Sequence, residues 1–160
     1  MIGLIGDLAD SDAWHVGGIL RAEIRCVTAA AEALRTRTKE FTLNVLAFVR
    51  TLPGTDECRD IADQLRRAAG GVGANYRATC RARSRPEFIA RINVALEEAD
   101  ECSFWLEVLA DGKLSSGATL PELLDEANQL CAILTASSIT ATEAERRGDP
   151  DPHRRNARRR

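Results

Sequence analysis

Apolar residues recur at helical spacing in four successive windows, with prolines and glycines between or at the ends of them, which is the pattern of an antiparallel bundle. The first window aligns Phe41, Val45, Phe48 and Leu52 and stops at Pro53-Gly54. The second begins near Thr55, aligns Ile61, Leu65, Ala68, Val72, Tyr76 and Thr79, and carries Gly70, Gly71 and Gly73 in its interior. Each such glycine costs a helix about 1 kcal/mol relative to alanine. The run therefore marks either close helix contact or a break at Gly70-Gly71.

The third window opens with Ser84-Arg85-Pro86-Glu87. Ser84 can cap the first amides, Glu87 stands three residues on as the capping-box partner, and proline in the first turn lacks an amide that would be orphaned anyway. Its stripe is Phe88, Ile92, Ala95/Leu96, Ala99, Cys102/Ser103, Leu106 and Leu109, before a loop at Asp111-Gly112 and Ser115-Ser116-Gly117. Thr119-Leu120-Pro121-Glu122 repeats the start signal. The fourth stripe then runs through Leu120, Leu123/Leu124, Ala127, Leu130/Cys131, Leu134 and Ser138, ending near Glu145. Helices two to four, at about 25 residues each, would be roughly 37 Å long.

Upstream, Leu20, Ile24, Val27, Ala31 and Leu34 form another stripe from about Asp12 to Arg35, either a fifth helix or a mobile arm. The pattern predicts an all-α chain: an antiparallel up-and-down four-helix bundle over 36–145, an additional N-terminal helix within 1–35, and a disordered basic tail over 146–160.

Two helices carry more apolar surface than a four-helix core consumes. Val94, Phe104, Trp105 and Val108 lie opposite the main stripe of the third helix, and Leu43 and Leu46 lie off that of the first. Large exposed apolar patches mark interfaces, and aromatics concentrate burial energy at their centres. These six residues are the candidate oligomer interface, unless the N-terminal helix covers them.

Composition fits one soluble domain: 160 residues, 44% hydrophobic and 29% charged. The net charge of -2 hides an uneven distribution, because residues 146–160 hold seven arginines against two aspartates. Arg66, Arg67, Arg77, Arg81, Arg83, Arg85 and Arg91 fall within 66–91 with only Glu87 opposing them, whereas 95–126 holds nine acidic residues and Lys113. The seven arginines are candidate nucleic-acid contacts, since guanidinium suits phosphate. Pairing with the acidic third and fourth helices, within a subunit or across a ring, is an equally physical reading. The interleaved aromatics of single-strand binders are missing apart from Tyr76.

Nothing in the chain assembles catalytic chemistry. The two histidines, His15 and His153, lie in the extensions, and no GxSxG, P-loop, GxGxxG or HExxH pattern is present. Adjacent carboxylates such as Glu97-Glu98 diverge on a helix. The five cysteines are widely spaced with no CxxC pair, which argues against a disulfide framework or zinc site. Cys80, Cys102 and Cys131 sit beside apolar residues as small hydrophobes. A non-enzyme without metal or cofactor is expected. The N-terminus lacks the basic start of a signal peptide and no stretch is long and apolar enough to span a membrane, so a cytoplasmic protein is expected.

Residues 36–144 resemble the bacterial four-helix bundle proteins encoded by intervening sequences of 23S ribosomal RNA genes. The resemblance rests on Thr38-Lys39-Glu40-Phe41, Val72-Gly73-Ala74-Asn75-Tyr76-Arg77, Arg81-Ala82-Arg83-Ser84-Arg85-Pro86-Glu87-Phe88 and Ala95-Leu96-Glu97-Glu98-Ala99-Asp100-Glu101. It implies an antiparallel bundle and a homopentameric ring. It also implies packing or helix–helix hydrogen-bonding roles for Asn75 and Glu97. A related branch, the accessory variability determinants of diversity-generating retroelements, binds nucleic acid and a reverse transcriptase. Where the family commonly has glutamate after Asn75-Tyr76-Arg77, this chain has Ala78. The function expected is that of an oligomeric scaffold or adaptor, with RNA or DNA as a candidate ligand. The competing reading is a protein-interaction regulator that acts through its basic tail without nucleic acid.

Overall fold

The computed structural model describes residues 11–115 and 117–153, with 11–28 described as backbone alone. The chain divides into two compact units, Met1–Leu34 and Arg35–Arg160. The four helices are α1 (Ser11–Phe48), α2 (Asp56–Thr79), α3 (Arg85–Asp111) and α4 (Thr119–Arg147). The separate fifth helix expected upstream is instead the beginning of α1, whose residues before Arg35 belong to the first unit. A 3-10 turn, Val49–Thr51, ends the first helical stripe before Pro53.

In the second unit α2 packs against α3 and α3 against α4. Helix α1 closes the cycle: Thr42 Oγ1 donates to the Ala69 carbonyl of α2 at 2.7 Å, and Arg37 Nε donates to Glu126 of α4 at 2.6 Å. Phe41, Val45, Leu65, Val72, Ile92, Ala99, Leu106, Leu109, Leu130 and Leu134 are all buried along the seam. Ser138 sits at its edge, half-buried, and donates to Asn93 Oδ1 at 2.5 Å.

Helix α2 runs unbroken through its glycines, and two of them have close neighbours. A β-carbon on Gly73 would stand 3.1 Å from Thr42 Oγ1, and one on Gly71 would collide with the Glu98 carboxyl. At Gly73 the missing β-carbon leaves room for Thr42, and at Gly71 for the movable end of Glu98.

Ser84 Oγ accepts from the Glu87 amide at 3.3 Å, as the capping box requires, but the Glu87 carboxylate returns to the Arg83 amide at 3.0 Å. Thr119 does not cap α4; it is the first helical residue, and Ala118 precedes it without a side-chain acceptor. Cys80, expected in the interior, is exposed, because it caps the end of α2 beyond the packed stripe.

The tail does not begin at Arg146. Helix α4 continues to Arg147 and closes on Gly148, whose φ of 70° lets Asp149 N–H reach the Ala144 carbonyl at 3.0 Å. Residues 149–153 then fold back onto the start of α3.

Candidate interaction surfaces

Arg85 occupies the first turn of α3, and its side chain turns inward. Its guanidinium donates to the Asp149 and Pro150 carbonyls at 2.9 and 2.7 Å and meets Glu145 at 3.3 Å. Its amide donates to Asp151 Oδ2 at 2.9 Å, Asp151 Oδ1 accepts from the His153 amide, and His153 stacks on Phe88 at 5.2 Å. Burial alone would raise the Asp151 carboxyl, but those two amides and the nearby His153 and Arg85 hold it below its usual value. With 6% of its surface exposed, Arg85 is corrected from candidate phosphate contact to the centre of a clasp that holds residues 149–153.

The other six candidate arginines are exposed. Arg66 pairs with Asp63 on its own helix, as Arg59 does with Asp56, so this part of the α2 stripe is neutralised locally. Arg83 lies 3.6 Å from Glu87. Arg67, Arg77, Arg81 and Arg91 form no ion pair among the described residues. Of the seven arginines, only Arg85 reaches an acidic side chain of α4, and none reaches one elsewhere on α3 beyond Glu87.

A groove of about 520 Å³ runs between α1 and α2, lined by Lys39 and Leu43 on one wall, Arg77 on the other, and Gly70, Gly73 and Ala74 beneath. The glycine spacing was visible in sequence, but its pairing with Lys39 needed the register of α1 against α2. A second groove, about 740 Å³, lies between α1 and α4 beside the Arg37–Glu126 pair. That bridge was missed as well, since residues so far apart in sequence reveal no pairing by spacing. Glu126 hydrogen bonding raises the Arg37 pKa, holding the cation charged.

Of the candidate interface residues, Leu43, Val94 and Phe104 are exposed, and Leu46, Trp105 and Val108 are half-buried. Phe104 and Trp105 meet edge to face at 4.9 Å, and Trp105 Nε1 donates to Glu101 at 3.2 Å. Val94, Phe104, Trp105 and Val108 share α3, while Leu43 and Leu46 stand on α1, so the structure divides them between two surfaces.

Among the described residues no group of three His, Cys, Asp or Glu could hold a metal ion, and no helix is long and apolar enough to cross a membrane. Burial pushes the thiols of Cys102 and Cys131 up, away from the reactive thiolate.

The 23S rRNA-intervening sequence protein family matches residues 33–136, nearly the whole bundle. The chain belongs to this family. A crystal structure of a protein of unknown function from the S23 ribosomal protein family of Bacteroides thetaiotaomicron is similar, with a TM-score of 0.60 and 24% identity over 65% of this chain and 96% of that one. The likeness shows the shared fold. No curated protein matches the chain. In this member of the 23S rRNA-intervening sequence family, Thr38 is fully buried and donates to the Arg35 carbonyl at 3.1 Å. Asn75 donates to the Gly71 carbonyl within its own helix at 3.0 Å, and Glu97 is exposed.

Proposed function

We propose that the protein is a non-enzymatic bundle that associates with copies of itself and acts as a scaffold or adaptor. One observation carries this reading: Leu43 and Phe104 are each 53% exposed on helices whose core faces are already filled. Covering the half of the aromatic ring still in water would add roughly 1 kcal/mol. Light scattering on the full chain at micromolar concentration tests it. A mass several times that of one chain is expected, and a single-chain mass overturns the reading.

RNA contact through the exposed arginines is a second component, supported by Arg67, Arg77, Arg81 and Arg91 standing without ion pairs among the described residues. A filter-binding titration with single-stranded RNA checks it: affinity should fall steeply with salt as counterions are released. Absence of binding at low salt removes this component.

A further inference from the structure

Phe104 points away from the bundle. At 100° per residue, Ala95, Ala99, Cys102 and Leu106 of α3 gather on the buried side, and Phe104 falls almost diametrically opposite. Asp100, Glu101 and Glu107 stand three or four residues from it, beside the ring, and Glu97 and Asp111 lie two turns away on the same face. All are exposed, and none pairs with a cation among the described residues. The outward face of α3 is thus an aromatic knob in a collar of carboxylates.

The groove between α1 and α2 has the converse chemistry. Arg35, Lys39 and Arg77 line it and no carboxylate does, and neither Lys39 nor Arg77 has an ion pair among the described residues. Its floor is open at Gly70, where a β-carbon would meet no atom within 4 Å. Leu43 supplies apolar surface on the α1 wall.

We infer that these faces are the two halves of one interface: the Phe104 knob of one copy seats in the α1–α2 groove of the next. The ring meets Leu43 and the open floor, and the carboxylate collar meets Lys39 and Arg77. The inference rests on the self-association proposed above and adds which surfaces meet. Matched charge fixes the direction, because groove against groove and knob against knob both bring like charges together. Helices α1 and α3 are diagonal in the cycle, so the halves lie on different sides of a chain. Such a contact is head-to-tail, and repeated copies close into a ring or grow into a filament.

Paired charge reversals test it. Lys39→Glu with Arg77→Glu inverts the groove, and Glu97→Lys, Asp100→Lys and Glu107→Lys together invert the collar, leaving three lysines against Glu101 and Asp111. Each variant alone should fall to the mass of a single chain. An equimolar mixture of the two should associate again through alternating copies. The chain carrying all five substitutions should regain the wild-type mass, a gain that misfolding cannot produce. Single-face variants that keep the wild-type mass, or a mixture and fivefold variant that stay at single-chain mass, overturn the pairing of these faces. A wild-type protein that is itself a single chain overturns the self-association reading, a separate outcome.

Discussion

The carboxyl group of Glu98 on α3 fills the space beside Gly71 on α2 where a β-carbon would otherwise stand. Burial, with Glu101 and Glu97 adding negative charge, raises its pKa above 4.5. The folded state therefore favours the protonated acid, and ionisation of Glu98 opposes folding above that range. Glu98→Gln should raise the melting temperature at pH 7, and the gain should shrink as pH falls towards 4.5. Thermal melts of both proteins across pH 4–8 check this, and a gain independent of pH contradicts it.

Gly70 separates stability from association. Nothing lies within 4 Å of its missing β-carbon, so alanine fits the helix without a clash. Gly70→Ala should stabilise the fold by about 1 kcal/mol through helix propensity. The same methyl group raises the groove floor, so the variant should unfold at higher denaturant while associating more weakly.

Helix positions were legible in sequence because every core stripe repeats at the helical period, and Phe41, Leu65, Ile92 and Leu130 are all buried as that period requires. Arg85 was not legible. Its place in a run of arginines suggested solvent, but a capped helix start set beside the end of α4 supplies acceptors that only tertiary structure brings together. Lys39 and Arg77 escaped notice as a pair for the same reason: spacing along one chain carries no register between helices. The exposed apolar residues were readable in part: Leu43, Val94 and Phe104 remain once the core stripes are assigned, whereas Leu46, Trp105 and Val108 are half-buried and the exposed Ile139 was hidden in the run of α4.

The clasp should depend on Arg85 and on pH. Arg85→Ala removes three side-chain interactions to residues 145–150, and since the released acceptors regain water, the cost should be about 2 kcal/mol in chemical unfolding. Arg85→Lys should recover only part, because an ammonium lacks the planar fork that spans two carbonyls. Asp151 has its carboxyl held below 3.8, so its contribution is present above that value and is lost as pH falls through the lowered one. The ring-current shift of His153 over Phe88, followed by NMR, should disappear over that acid range and be absent in Asp151→Asn.

Lys113 ends α3 in a left-handed conformation with φ of 53°, allowing Leu114 N–H to reach the Leu109 carbonyl at 3.0 Å. A side chain in that region costs roughly 1–2 kcal/mol, part of which glycine returns through greater freedom of the unfolded chain. Lys113→Gly should therefore stabilise the protein by about 0.5 kcal/mol. At the neighbouring position, Gly112→Ala should destabilise it, since a β-carbon would lie 2.8 Å from the Val108 carbonyl.

The clasp also fixes where the chain leaves the bundle. His153 is stacked on Phe88 near the start of α3, the end of the bundle at which Arg81 and Arg83 are exposed. Without the clasp the last fixed point would be Gly148 at the end of α4, five residues earlier, so a single buried guanidinium sets the point of departure of everything that follows.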